Sequence, residues 1–345
     1  MLPDGRRIGV HLALADGLVT AADRAAAIGA SAIQIFSDNP TAYRHRTGPS
    51  PELGPFRDRL TAHGIESLAI HGSYLINPAA SDDVLHERSI ELLTSELVVA
   101  RTLRARFVNI HIGSHRGAGL EAGIEAGIAR LVAAIQRALT DSARDDATAA
   151  PEGDGPVITL ENSPGGGGGL GVDLNELALI AAALDAAGVD RQRVGFCLDT
   201  AHAWGAGIDL ANPFAIDRFL TDFGARIGLD RLALLHLNDS RSELGSRLDR
   251  HEHLGAGRIG AAGLGHLLRH PLLGDVTVIL ETPGMDVGYD AINLARAVAL
   301  ASGEALDVLP PEAFTLRGSR ARAASPATAV AAAVPAMARG AASAE

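Results

Sequence analysis

Short apolar runs and amphipathic segments alternate along most of this chain. Eight runs rich in β-branched and aliphatic residues recur, and most are near-continuously apolar, as parallel strands buried on both faces are. They are Arg7–Ala13, Ala32–Ser37, Ser67–Gly72, Phe107–Gly113, Val157–Asn162, Val194–Thr200, Leu232–Asp239 and Val276–Pro283. Intervening segments such as Glu87–Ala105 and Glu121–Leu139 have the apolar spacing of amphipathic helices. Eight strand–helix units predict an α/β fold, a single (β/α)8 TIM barrel, with a doubly wound sheet as the lesser alternative.

Two segments depart from this alternation and are expected to lie outside the packed barrel. Asp141–Gly155 is polar, small and charged, which predicts a mobile surface-loop insertion before the fifth strand. From about Arg317 onward the chain is Ala, Arg, Ser and Pro, with little that could form a core. We therefore predict one barrel domain over residues 1–310 and an Ala-rich, disordered tail over residues 311–345.

Composition limits the cellular compartments and the binding partners that we expect for this chain. The single cysteine, Cys197, rules out an intramolecular disulfide framework and fits a reducing compartment. No secretion signal and no run of about 20 strongly apolar residues is visible, so we expect a cytoplasmic protein without a membrane span. The formal net charge of −11 argues mildly against a nucleic-acid partner, although bound cations would reverse the field locally.

Residues that commonly bind metals follow one another at the predicted carboxyl ends of the strands, where such a barrel builds its active site. Five are histidines and four are carboxylates: His71, His111, Glu161, Asp199, His202, His236, Asp249, His251 and Glu281. A lone histidine at a strand end is more often a hydrogen-bonded structural residue than a ligand. Nine such groups at one rim would be an unpaired charge cluster without cations, so we predict a metal centre.

The donor types indicate which metal and what chemistry to expect. Mixed nitrogen and oxygen ligation favours zinc, with Mn²⁺ or Fe²⁺ as alternatives. Nine ligands exceed the four that one zinc accepts, so two or three ions are expected, with Glu161 as a candidate bridge. Centres of this kind hydrolyse phosphodiesters.

The remaining reactive side chains receive plainer interpretations. Cys197 lies inside an apolar strand and is expected in the core, and His11 is evenly balanced between a role behind the ligands and none. The glycine run Gly165–Gly169 lacks the Lys-Ser/Thr of a P-loop and is expected to be a flexible loop. Four histidines in helical or connecting segments are expected to be solvated: His63, His86, His266 and His270.

Six longer motifs surround the predicted ligands. They are HGSYLINPA at 71–79, HIGSH at 111–115, LENSPG at 160–165, CLDTAHAWGAGIDL at 197–210, HLNDSRSELGSRLDRHEHLGAGRIG at 236–260 and ILETP at 279–283. Together they resemble the endonuclease IV family of apurinic/apyrimidinic endonucleases. The likeness runs in order from the first strand to the eighth, over about residues 6–305.

The resemblance implies a trinuclear zinc site that uses all nine ligands. His71 and His111 would hold one ion with the bridging Glu161. Asp199, His236 and Glu281 would complete the second, and His202, Asp249 and His251 would hold the third. The implied activity is base-excision DNA repair: hydrolysis of the phosphodiester 5′ to an abasic site in double-stranded DNA, leaving a 3′-hydroxyl and a 5′-deoxyribose phosphate.

The resemblance also assigns roles to particular side chains. Glu161 and Glu281 are the predicted catalytic carboxylates. Tyr74 and Leu75 match the pair that family members insert into the duplex, and we expect a monomer. The loop after the second strand, Ser37–Arg46, departs from the family because its usual basic and Trp residues are missing.

Two alternatives stay open at this stage. One is a metal-dependent sugar isomerase or epimerase on a related barrel, but those sites use one or two ions and often a catalytic lysine, and no strand end here carries one. The other is a metal-stabilised binding protein without turnover, which the altered second-strand loop and the negative charge would favour.

Overall fold

The computed structural model describes residues 1–43, 50–115, 120–144 and 155–315. Its strands are β1 Ile8–Leu12, β2 Ala32–Phe36, β3 Ser67–His71, β4 Phe107–His111, β5 Val157–Glu161, β6 Val194–Asp199, β7 Leu232–His236, β8 Asp239–Ser240, β9 His251–Glu252 and β10 Thr277–Leu280. All except β8 and β9 pair in parallel and close into a barrel in the order β1-β10-β7-β6-β5-β4-β3-β2. The TIM-barrel prediction is confirmed, and the doubly wound alternative is wrong.

Helices cover the outside of the barrel between successive strands. They are α1 Leu18–Ala27, α2 Leu53–Ala62, α3 Asp83–Leu103, α4 Leu120–Arg144, α5 Leu174–Ala186, α6 Thr200–Ala206, α7 Pro213–Arg226, α8 Gly260–Leu268 and α9 Tyr289–Ser302. Side-chain oxygens cap several of them, for example Asp82 at α3, whose carboxylate accepts the Leu85 N–H at 2.9 Å.

The boundaries differ from the sequence-based expectation in two places. Helix α4 continues through Arg144, so the first four residues of the predicted loop Asp141–Gly155 are helical, and residues 145–154 lie outside the described chain. A short 3-10 helix, Pro311–Thr315, buries Ala313 beyond the predicted boundary at residue 310. Residues 316–345, which hold most of the predicted tail, lie outside the described chain as well.

The histidine expectation is wrong for His86. Its side chain is buried between α3 and α4, where Nε2 lies 3.1 Å from the carbonyl oxygen of Arg130. Packing between the two helices therefore buries a histidine that the local sequence predicted to be solvated.

Aliphatic side chains fill the space between barrel and helices, and a polar layer lies inside the barrel. Gln34, Asn109 and Thr159 are fully buried on strands β2, β4 and β5, although their neighbours along each strand are apolar. The backbone closes tightly at Gly9, where a Cβ atom would lie 1.7 Å from the carbonyl oxygen of Ala32. Among the helices of the described residues, none has the length and apolarity needed to cross a bilayer.

Candidate metal centre

The predicted ligands meet at the carboxyl ends of the barrel strands. Strand register brings some of them side by side: His111 pairs with Glu161 across β4–β5, and Asp199 pairs with His236 across β6–β7. A cavity of about 530 Å³ opens there, and seven of the nine predicted ligands line it. The other two, Asp199 and His236, are fully buried behind its wall. The structure therefore brings all nine side chains to one site.

One group of three ligands consists of His71, His111 and Glu161. The Nε2 atoms of the two histidines lie 3.7 and 3.8 Å from Glu161 Oε2. The other ring nitrogen of His71, Nδ1, lies 2.8 Å from the carbonyl oxygen of Gly72, so it carries the proton and donates it there. That hydrogen bond leaves Nε2 of His71 as the atom available to a cation.

A second group shares Glu161 and adds the buried Asp199 and His236 and the partly buried Glu281. Nδ1 of His236 lies 3.5 Å from Glu161 Oε1, 3.9 Å from Asp199 Oδ2 and 3.4 Å from Glu281 Oε2. Because Glu161 belongs to both groups, it is placed where a bridging carboxylate would stand.

The third group consists of His202 and His251 together with the carboxylates of Asp249 and Asp199. Nε2 of His202 lies 3.4 Å from Asp249 Oδ2, and Nε2 of His251 lies 2.9 Å from Asp249 Oδ1. Nε2 of His251 is also 3.7 Å from Asp199 Oδ2, so Asp199 stands between the second and third groups. The Nδ1 atoms of these two histidines lie 2.9 and 2.8 Å from the carbonyl oxygens of Asn162 and Glu281.

The third group depends on a hairpin that the sequence did not reveal. Strands β8 and β9 pair antiparallel; Asp249 lies near the end of the loop between them, and His251 is the first residue of β9. The buried carboxylate of Asp239 accepts the backbone N–H groups of Gly257 and Ile259, both at 3.0 Å, and so fastens the chain that leaves this hairpin.

Four buried amide side chains hold the ligands from behind, and sequence reasoning missed all of them. Asn109 donates to Glu161 Oε2 at 2.6 Å, and Asn238 donates to Asp199 Oδ2 at 2.7 Å. Asn162 accepts the backbone N–H of Asp199 at 2.6 Å. The available signal was a polar residue inside, or directly after, an otherwise apolar strand, where burial requires a partner.

The fourth amide, Gln34, links three residues at once. Its Nε2 donates to Glu281 Oε1 at 2.6 Å and to His11 Nδ1 at 3.0 Å, while its Oε1 lies 3.0 Å from His236 Nε2. It therefore fixes the proton of His236 on Nε2 and leaves Nδ1 for the second group. His11, balanced between two interpretations on sequence alone, lies 3.3 Å from Glu281 Oε1 behind the ligands.

The electrostatics of the site fit a set of cation ligands. Burial by itself raises the pKa of the Glu161 carboxyl, and the imidazoles of His236 and His111 more than offset it, so that pKa lies well below its ordinary value. Burial lowers the pKa of His71 to about 4, which keeps that imidazole neutral. Nδ1 of His236 is buried without a hydrogen-bond partner while three carboxylates face it. A zinc-type cation would satisfy this donor set.

Cys197 behaves as the sequence predicts. The thiol is buried in the barrel beside Glu161 and His236, and burial raises its pKa to about 12.

Tyr74 and Leu75 occupy different positions at the mouth of the cavity. Tyr74 is 56% exposed, and its ring centroid lies 5.2 Å from that of Phe36 and 5.7 Å from that of His71. Leu75 is half-buried against the core. Arg241 and Arg250 also line the cavity.

Two further features concern the neighbouring loops. Trp204 is buried and donates its indole N–H to the carbonyl oxygen of Ser242 at 2.8 Å, so it packs against a loop. Of the altered loop Ser37–Arg46, the part up to Tyr43 is described, and Arg44 and Arg46 lie outside the described residues.

A closed parallel barrel with three adjoining ligand groups at its carboxyl rim defines a metal-dependent TIM-barrel enzyme. Residues 22–309 match the family described as "Xylose isomerase-like TIM barrel". A protein of Halothermothrix orenii called "Probable endonuclease 4" is 38% identical over 84% of this chain and 99% of its own length. A "Probable endonuclease 4" of Methanoculleus marisnigri is also 38% identical, over 85% of this chain and 98% of its own.

Solved structures agree with these relatives. The crystal structure of endonuclease IV from Thermus thermophilus is 33% identical, has a TM-score of 0.72 and is matched over 86% of this chain and 99% of that one. The chain belongs to the endonuclease IV family of the xylose isomerase-like TIM barrels. A D-tagatose 3-epimerase-like protein has a TM-score of 0.59 at 17% identity, which reflects the shared barrel alone.

Proposed function

We propose that this protein is a DNA-repair apurinic/apyrimidinic endonuclease that hydrolyses the phosphodiester 5′ to an abasic site in double-stranded DNA. The products would be a 3′-hydroxyl and a 5′-deoxyribose phosphate. Family membership places the chain among the nuclease hydrolases. The observation that carries the finer proposal is the convergence of nine imidazole and carboxylate ligands, in three adjoining groups, on one open cavity.

The three ligand groups match three zinc ions, with Mn²⁺ as an alternative occupant. His71 and His111 with Glu161 would hold one ion, and Asp199, His236 and Glu281 with Glu161 a second. His202, Asp249 and His251 would hold the third. When bound, such ions supply an activated water and neutralise the charge that develops on the attacked phosphodiester.

The side chains of this chain set the conditions for that chemistry. The buried Glu161 and the partly buried Glu281 stay ionised because the imidazoles around them hold their pKa values well below the ordinary range. Where the ring nitrogen that faces away from the cation position has a described hydrogen bond, that bond fixes the tautomer and the orientation of the ligand histidine. The centre is therefore held in place before DNA arrives, which lowers the reorganisation that the reaction requires.

The composition favours hydrolysis over strand cleavage through an enzyme amine. The chain contains no lysine at all. Cleavage by a Schiff base with the opened sugar of an abasic site needs a reactive amine, usually lysine. Water is therefore the proposed nucleophile, and the same absence argues against a lysine-dependent sugar isomerase.

Recognition of the duplex would fall to the mouth of the cavity. Exposed Tyr74 stands beside the ligands His71 and His111, where it can stack against or displace a nucleotide next to the damaged site. Leu75 would join it only by leaving its packed position. Arg241 and Arg250 would contact phosphates, against a net charge of −11 for the whole chain. We take the active form to be a cytoplasmic monomer.

The test uses a duplex with a single abasic site, incubated with zinc-loaded protein. We expect incision directly 5′ to that site, abolition by chelator and recovery on adding zinc. Glu281→Gln, which removes a ligand charge, should abolish cutting, while the exposed Glu87→Gln, whose ion pair is with Arg137, should cut like the wild type. Cutting that survives complete metal removal, or no cutting with zinc restored, would overturn the proposal.

A further inference from the structure

A second cluster of ligand-type side chains lies away from the cavity. Asp217 is in α7, His266 is in the last turn of α8, and His270 is in the turn that follows α8. Nε2 of His266 lies 2.6 Å from Asp217 Oδ1, and Nε2 of His270 lies 3.3 Å from the same oxygen. All three ligand atoms lie within 4.8 Å of one another. In the described part of the chain, none of these residues lines the cavity at the barrel rim.

The spacing of these atoms is close to that of a tetrahedral zinc site. Zinc bonds of about 2.0–2.1 Å at the tetrahedral angle place neighbouring ligand atoms about 3.3 Å apart. The separation of His270 from Asp217 already has that value, and His266 would open its direct hydrogen bond by less than an ångström. Small rotations of two partly exposed side chains, Asp217 and His266, are enough.

The charge state of the cluster also suits a cation. The hydrogen bond from His266 lowers the pKa of Asp217, so its carboxylate is ionised at neutral pH. Burial lowers the pKa of His270, so that imidazole is neutral and can coordinate. His266 stands in the last turn of α8, where the helix carbonyls add partial negative charge.

We propose that Asp217, His266 and His270 form a peripheral zinc site, separate from the centre at the barrel rim. Two imidazole nitrogens and one carboxylate oxygen favour zinc over magnesium or calcium, which prefer all-oxygen sites. Water completes the fourth position. The bound ion cross-links α7 to the chain that leaves α8.

Zinc binding has one structural consequence that can be measured. In the metal-free protein Nδ1 of His270 accepts the backbone N–H of Leu272 at 3.3 Å, so the imidazole proton is on Nε2, facing Asp217. Coordination through Nε2 moves that proton to Nδ1 and breaks the long hydrogen bond. The Leu272 amide therefore exchanges with solvent faster when zinc is bound.

The main experiment counts zinc ions on the full chain with the rim centre loaded. Wild type and the double variant His266→Asn/His270→Asn are dialysed against buffers of stepped free zinc, and metal per chain is measured. We expect the wild type to bind one zinc more than the double variant, with equal incision of abasic DNA. The control is His63→Asn: Nε2 of His63 lies 2.8 Å from Asp23 Oδ1, a surface histidine–aspartate pair outside the candidate metal groups among the described residues.

A double variant that binds as much zinc as the wild type at every concentration would overturn the proposal. If the double variant does not fold, the wild type alone still decides. Zinc should then protect His266 and His270, but not His63, from acylation by diethylpyrocarbonate, as read by peptide mass spectrometry. Equal modification of all three histidines with and without zinc would refute the site. The incision assay is independent, so failure here leaves the proposed nuclease untouched.

Discussion

Replacing Gln34 with leucine is the most informative single change behind the metal centre. The substitution roughly preserves side-chain volume but removes three hydrogen bonds, to His11, Glu281 and His236. The last of these fixes the tautomer of His236, because Gln34 Oε1 can accept only from a protonated Nε2. Without it, the proton can occupy Nδ1, the nitrogen that faces the ligand group.

The expected magnitude follows from what each partner loses. Hydrogen bonds to a charged group such as Glu281 contribute about 1.5–3 kcal/mol, and an abandoned buried donor such as His236 Nε2 costs about 1–3 kcal/mol. Glu281 keeps His11 and His236 nearby at 3.3 and 3.4 Å, which limits its loss. Residues behind metal ligands typically change metal affinity or activity by about 10–100-fold. We expect Gln34→Leu to fall within that interval, or about 1.4–2.8 kcal/mol.

The assay is incision of an abasic duplex over a titration of buffered free zinc. For Gln34→Leu the half-saturating zinc concentration should rise about 10–100-fold, with activity largely recovered at high zinc. Gln136→Leu is the matched control, because that glutamine is exposed and its amide reaches only the carbonyl oxygen of Ala187 among described contacts. If Gln34→Leu had the zinc requirement and rate of the wild type, the assignment of Gln34 as a positioning residue would be refuted.

Three further outcomes are expected. Burial raises the pKa of Glu96 from 4.5 to about 7, so the folded state retains a proton that the unfolded state releases. The contribution of Glu96 to the free energy of unfolding should fall by about 3 kcal/mol from pH 4.5 to 7, and the stability difference between wild type and Glu96→Gln, from denaturant titrations at each pH, should change by that amount. Tyr74→Ala should raise KM for abasic duplex about tenfold with zinc content unchanged, while Phe214→Ala, 83% exposed, should match the wild type. Borohydride should not trap a covalent intermediate in step with incision, because the chain has no lysine; an adduct trapped as fast as the strand is cut would contradict the hydrolytic proposal.

The convergence of the nine candidate ligands could be predicted from sequence because, in this fold, the position of a residue along a strand fixes where its side chain lies. All parallel strands of a barrel end at one rim. A polar residue that follows an apolar run, such as Glu161 after Val157–Leu160, is therefore expected at that rim. Recognition of eight strands was then sufficient to bring His71 and Glu281 together, although they are far apart in the chain. The antiparallel hairpin that carries Asp249 and His251 has two-residue strands, too short to leave a periodic signal.

What the sequence could not supply is the pairing of individual polar atoms. Gln34 and Asn109 lie within strands and could equally have faced the helices. Their roles depend on which ligand atom each amide reaches, Glu161 Oε2 for Asn109 and Glu281 Oε1 and His236 Nε2 for Gln34, through contacts of 2.6–3.0 Å between distant segments. The prediction that His86 is solvated was wrong for a related reason, because helix packing buries this side chain although the local sequence is polar.

The buried side chains of the metal centre and the exposed side chains of the DNA-facing loops are under different physical constraints. The metal centre is therefore easier to infer from sequence than the DNA contacts are. A buried ligand such as Asp199, with no exposed surface, cannot change without leaving charges unpaired, so its identity is tightly constrained. Tyr74 is exposed, and the contacts described for its side chain are with neighbouring rings, so many side chains would fit there. A metal centre that matches the family therefore gives little information about the affinity of this chain for DNA. Variants of Tyr74 and Arg250 measured by KM, beside Gln34→Leu measured by zinc requirement, would separate the two properties.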